Sequence, residues 1–182
     1  MADEGVQQRP PALTSLDDLF RQLGRAPSPG DGVNAPLDLR GADLTGLDLS
    51  ILHLLVVDFR AAQLAEADFS GVSLSGSDFR GADLRQARFV ESDMSDARFD
   101  GANLTGATFA HADVSGASFD GATMAQAQLI HADAMYATLT GTILHGANLH
   151  GADVSAADLA DALTDALTVL TNTTKDERTR LP

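Results

Sequence analysis

Apolar side chains recur every five residues from Leu39 to Leu159 without a break. The series runs Leu39, Leu44, Leu49, Leu54, Phe59, Leu64, Phe69, Leu74 and Phe79, and continues through Phe119, Met124, Leu129 and Ala134 to Val154 and Leu159. A second column of small residues, mostly Ala, lies two places earlier, as at Ala62, Ala67, Ala82 and Ala97. A helix repeats every 3.6 residues and a strand every 2, so neither can keep one face buried over this stretch. The chain has to turn once per unit. Within each unit the inward pair is two apart, as in Ala82-Asp83-Leu84, which is strand spacing. A polar residue and then Gly follow in Thr45-Gly46, Arg80-Gly81, Thr105-Gly106 and Asp120-Gly121, where a backbone corner strains least.

The phenylalanines count the units per coil. Phe59, Phe69, Phe79, Phe89, Phe99, Phe109 and Phe119 hold a strict period of ten inside the period of five. With four units per coil, Phe59, Phe79, Phe99 and Phe119 stack on one side and Phe69, Phe89 and Phe109 on the opposite side. A three-unit coil would scatter them over every side. The spacing therefore predicts an all-β, four-sided solenoid.

The units resemble the pentapeptide-repeat family, whose pattern is Ala, then Asp or Asn, then Leu or Phe, then two variable residues. Gly41-Ala42-Asp43-Leu44-Thr45, Gly81-Ala82-Asp83-Leu84-Arg85, Gly101-Ala102-Asn103-Leu104-Thr105 and Gly151-Ala152-Asp153-Val154-Ser155 follow it nearly verbatim. The resemblance covers about two thirds of the chain. It implies a right-handed quadrilateral β-helix. It also brings in one branch of the family that resembles duplex DNA in width and charge, binds DNA gyrase and protects it from inhibitors.

The expected organisation is an N-terminal segment (1–36), a pentapeptide-repeat β-helix (37–158) and a C-terminal helical cap with a polar tail (159–182). In the first segment Thr14-Ser15-Leu16-Asp17-Asp18 reads as a helix start, followed by Leu19, Phe20 and Leu23 at helical spacing and then Gly24. A Pro- and Gly-rich linker follows at 26–33. The helix is expected to fold back on Ile51, Leu55 and Val56, which are apolar where other units are polar or Gly. At the other end Leu159, Leu163, Leu167 and Leu170 are spaced four, four and three, which predicts a helix able to cap the coil or pair two copies in a homodimer.

The chain has no Cys, so disulfides and thiol chemistry are excluded. An acidic N-terminus without an apolar signal run, and the absence of any 18-residue apolar stretch, predict a cytoplasmic protein that does not enter the membrane. Net charge is −14. Residues 37–172 hold 6 basic and 19 acidic groups, and no Lys or Arg lies between Phe99 and Asn172. Phosphate contacts need cations, so direct nucleic-acid binding is not expected.

Two sets of candidate interaction residues stand out. Asp93, Asp113, Asp133 and Asp153 fall on one edge of a four-unit coil, where stacked carboxylates are expected to raise one another's pKa. Against a metal or catalytic role, Asp is the ordinary occupant of this repeat position, and the Ser and Thr between lack metal-site spacing. The second set is Ile130, His131, Met135 and Tyr136, apolar and aromatic groups at outward or corner positions. His111, His131 and His150 lie near one line but should project in parallel, whereas a zinc site needs converging ligands. No nucleophile, phosphate loop or dinucleotide fingerprint is present. The sequence thus predicts a non-catalytic rod without cofactor or metal that binds a protein partner. The alternative is a DNA-mimicking protein that binds gyrase or topoisomerase.

Overall fold

A computed structural model describes residues 16–22, 24, 36–53 and 55–181. The strands β1 (Leu37–Asp38) and β2 (Val57–Asp58) pair in parallel with a register of twenty residues. Single parallel bridges continue that register from Asp43↔Gln63 to Ile143↔Leu163, so each coil consumes four five-residue units. The bridges form four columns. The first runs Asp38, Asp58, Asp78, Arg98, Ser118, Thr138, Asp158 and Arg180. The second runs from Asp43 through Asp83 and Thr123 to Leu163, and the third from Asp48 through Arg88 and Gln128 to Val169. The fourth runs Ser73, Asp93, Asp113, Asp133, Asp153 and Thr174.

Each unit turns through a backbone bond between residues three apart, for example Ala87 N–H to Leu84 C=O at 3.1 Å. The residue before the closing Ala has a positive φ, near +60° at Gln86, which Gly adopts without strain and other residues do not. Asp or Asn ahead of the inward Leu or Phe completes the corner. Its carboxylate accepts the N–H two residues on, as in Asp43 to Thr45, Asp113 to Ser115 and Asp153 to Ser155. Asp recurs because it satisfies a corner donor that the ladder leaves over.

Inside, the two Phe columns stack along the coil and meet edge to face across it. Phe79–Phe99 and Phe99–Phe119 are stacked at 4.8 and 4.9 Å, and Phe89–Phe99 and Phe99–Phe109 are T-shaped at 5.8 Å. Both arrangements suit the aromatic quadrupole and add to burial. Three buried polar side chains are paired. The Ser92 and Thr142 hydroxyls donate to the carbonyls of Phe89 and Phe119, and Ser77 Oγ accepts the N–H of Val57.

The helix α1 (Leu16–Gln22) places Leu19 within the apolar cluster of the coil and buries Phe20. Ile51 and Leu55 are half-buried against the same cluster, whereas Val56, expected to be covered with them, stays 49% exposed. Leu23, the side chain of Leu16 and the linker lie outside the described residues.

The C-terminal helix expected over 159–182 is not formed, and pairing does not stop at residue 158. Among the described residues 159–181 there is no helix, and the bridges continue through Leu163, Val169 and Thr174 to Arg180. The leucine spacing that reads as helical spans a corner that grows from five residues to six, between Leu163 and Val169, and a second such corner follows between Thr174 and Arg180. In each, an Asp-x-x-Thr segment supplies the turn. Asp165 Oδ1 accepts from Gly146 and Leu167 N–H and from the Thr168 hydroxyl, and Asp176 Oδ1 accepts from Ala156, Arg178 and Thr179 N–H. The Gly146 N–H, with Leu167 and Thr168, holds the Asp165 carboxyl below the usual range. Leu163 and Leu167, expected on a packed stripe, are 52% and 73% exposed. A homodimer through a C-terminal helix therefore lacks its element. In the last described coil Thr164 occupies the register of Leu144 and Lys175 that of Val154, while Leu170 and Leu181 keep apolar residues in the register of Leu149 and Leu159.

Phe99→Ala should destabilise the protein by about 3–5 kcal/mol in urea melts, because its ring touches four others in a core whose spacing the backbone ladder fixes.

Candidate interaction surface

The corner Leu129-Ile130-His131-Ala132 is closed by Ala132 N–H to Leu129 C=O at 3.1 Å, and the corner Ala134-Met135-Tyr136-Ala137 by Ala137 N–H to Ala134 C=O at 3.2 Å. Between them lies Asp133 of the fourth column. The coil therefore brings both candidate sets to one wall: Asp93, Asp113, Asp133 and Asp153 run along it, with Ile130 and His131 on one edge and Met135 and Tyr136 on the other. Ile130 and Met135 are half-buried, and His131 and Tyr136 are exposed, Tyr136 by 57%. His131 and Tyr136 both sit at positive φ, 57° and 60°.

The four carboxylates first serve the backbone. They accept N–H groups of Ser95, Ser115, Met135 and Ser155 at 2.9–3.0 Å. The mutual elevation of pKa expected for a carboxylate stack is reversed at Asp93. Burial there pushes the pKa up, but hydrogen bonds from the Ser95 hydroxyl and N–H and the Ser73 hydroxyl outweigh it, and the group lies below the usual range.

A family model of pentapeptide repeats matches in 8 copies over residues 58–96, 87–124, 97–133 and 124–161. The chain belongs to the pentapeptide-repeat family. Among solved structures it is similar to a pentapeptide repeat protein from the Arabidopsis thaliana thylakoid lumen, 35% identical with a TM-score of 0.50, over 64% of this chain and 67% of that one. HetL, a pentapeptide repeat protein involved in heterocyst differentiation regulation from the cyanobacterium Nostoc sp. strain PCC 7120, is 22% identical with a TM-score of 0.45, over 89% of this chain and 95% of its own. QnrB1, a plasmid-mediated fluoroquinolone resistance protein, is 20% identical with a TM-score of 0.46, over 77% and 80%. No curated protein matches the chain.

On this pentapeptide-repeat rod the cations of the first half are engaged by neighbouring acids. Arg40, Arg60, Arg80 and Arg85 each clamp the Asp two residues earlier at 2.6–2.8 Å. Arg40 and Arg60 also reach Asp58 and Asp78 of the next coil at 3.6 and 3.7 Å. Arg88 pairs with Asp68, and Arg98 with Asp100. Such exposed pairs are worth little singly, and they leave residues 37–98 with 6 basic against 11 acidic groups, whereas residues 99–172 hold 8 acidic groups and no Lys or Arg.

Three histidines meet at one corner of the wall. The rings of His111 and His131 stack at 5.3 Å, and His150 meets His131 edge-on at 5.7 Å. Gly151 makes room, since a Cβ there would lie 2.2 Å from His131 Nδ1. His150 Nδ1 is 2.8 Å from Thr171 Oγ1. Among the described residues no group of three or more His, Asp or Glu is arranged to hold a metal ion. Sequence reasoning missed the capping role of the Asp column and the two Asp-x-x-Thr corners. The signal for the latter is present, as Asp165–Thr168 and Asp176–Thr179 recur eleven residues apart.

Acid should weaken the fold through the capped carboxylates. The Arg60 side chain, acting against burial, holds Asp58 below the usual range, and Arg85 does so for Asp83. At Asp78 burial raises the pKa and the Arg80 side chain and N–H more than offset it. Folded pKa values below the unfolded ones give stability that is complete above about pH 4 and lost as pH falls through the depressed values. The part of urea stability that Asp58, Asp78 and Asp83 supply should therefore be lost below about pH 4, so that the fall there is less steep in Asp78→Asn than in the wild type.

Proposed function

We propose that this chain is a non-catalytic interaction protein of the cytoplasm, a right-handed quadrilateral β-helix without cofactor or metal whose acidic wall binds a protein partner. Family membership supports this reading, since pentapeptide-repeat proteins are in general structural or interaction proteins rather than enzymes. The observation that carries it is the placement of Ile130 and His131 on one edge, and Met135 and Tyr136 on the other, of the wall that holds Asp133. Apolar and aromatic groups bordered by charge have the composition of an interface centre with a polar rim. Tyr136 in addition occupies a left-handed corner where Gly would be less strained, so its side chain is retained against a local conformational cost of roughly 1–2 kcal/mol.

A second reading, the DNA mimic, is favoured by the unbroken column Asp93, Asp113, Asp133 and Asp153. One carboxylate per coil, about 4.8 Å apart, is on the order of three times sparser than the charge along duplex DNA. In this reading affinity comes from those carboxylates together with Asp100 and Asp120, and the partner is gyrase or a topoisomerase.

The two readings place binding energy in different residues. For a partner recovered from the native host, Tyr136→Ala should cost about 2 kcal/mol or more of binding while added salt changes affinity little. The reverse pattern, with gyrase supercoiling altered at micromolar protein, would transfer support to the mimic.

A further inference from the structure

The rung that joins the first coil to the second is closed in its own way. In neighbouring rungs a backbone N–H donates to the carbonyl 21 residues earlier: Gln63 to Ala42, Asp68 to Leu47, Asp78 to Val57, all at 2.9 Å. At Ser73 that position belongs to Leu52, the last residue of the 3-10 turn Ser50–Leu52. The Ser73 N–H donates instead to the ring Nδ1 of His53 at 3.0 Å, and the Ser73 hydroxyl continues the line to Asp93 Oδ2 at 3.0 Å.

We propose that His53 is a pH-operated clasp that holds the first coil to the second while its imidazole is neutral and releases it in acid. Nδ1 accepts a hydrogen bond only when it carries no proton; in the imidazolium both ring nitrogens are donors. Protonation therefore sets an N–H against the N–H of Ser73, and the rung loses its acceptor. His53 is exposed, so the proton enters without prior unfolding. Through Ser73 the His53 ring is linked to the Asp93 carboxylate, which also accepts the Ser95 N–H and hydroxyl and lies below the usual range. The charged side chains of the adjoining columns are Asp48, which accepts the Ser50 N–H, and the pairs Asp58–Arg60 and Asp68–Arg88. The effect reaches the core because the turn preceding His53 contributes buried Leu52 and half-buried Ile51 to the apolar cluster that Leu19 of α1 also joins. Opening the clasp loosens the coil to which Leu52 and Ile51 belong.

Amide hydrogen exchange on the full chain tests this, read as the protection factor of Ser73 divided by that of Phe99 so that intrinsic pH effects cancel. The ratio should fall about tenfold or more between pH 8 and pH 5. It should be level in His53→Asn, whose amide oxygen accepts the same bond but does not titrate. A level ratio in the wild type overturns the proposal. So does a fall that persists in His53→Asn or His53→Gln with unchanged far-ultraviolet circular dichroism, because another group would then be titrating.

Discussion

The twenty-residue register between coils is the constraint on which the rest depends. In the described coils the large inward residue of a unit donates to a carbonyl of the next coil, as Phe59 N–H does to Asp78 at 2.8 Å and Phe99 N–H to Ser118 at 2.6 Å. Once that spacing is set, side chains twenty apart are stacked whatever they are. Phe falls on Phe, and four Asp line one wall. Stacking of like rings adds contact energy to the ladder, and stacking of like charges subtracts from it. The chain meets the second problem by using each carboxylate as a corner cap, so that fixed N–H dipoles face the charge.

Corners are the places where register can change. Among the described residues, thirteen glycines, Gly24 of the α1 terminus included, and twelve other residues sit at positive φ, so the coil tolerates side chains at a conformation most residues avoid. At His131 and Tyr136 that tolerance puts an imidazole and a phenol on the two edges of one wall. At both ends of the rod the five-residue corner gives way. The 3-10 turn before His53 and the two six-residue corners after Leu163 each divert a backbone N–H to a side-chain acceptor: an imidazole at the first, carboxylates at the others. In the last described coil two of the four core-register positions are polar, Thr164 and Lys175, and two apolar, Leu170 and Leu181.

The central fold was legible because a period of five admits few solutions and the Phe period of ten within it selects four units per coil. The positions of Ile130, His131, Met135 and Tyr136 at corners followed from the same count. The C-terminus was misread for a physical reason. Leu159, Leu163, Leu167 and Leu170 fit a helical stripe, but a helix there would forfeit an edge already presented by Leu144, Leu149, Val154 and Leu159. Those residues instead donate to Leu163, Val169, Thr174 and Arg180 at 2.8–2.9 Å. Spacing alone did not reveal that two corners had each gained a residue.

The sequence by itself determined the repeat, the units per coil, the inward columns and the acidity of the second half, because these follow from residue periodicity and charge counted along the chain. Only the tertiary structure decided how far the coil runs, which carboxylates are capped, that the Asp column and the Tyr136 patch share a wall, and that His53 stands in for a carbonyl. Those outcomes depend on which donors the neighbouring coil leaves over. Donors left by one coil are matched to acceptors twenty or more residues away, a pairing that a linear pattern constrains but does not contain.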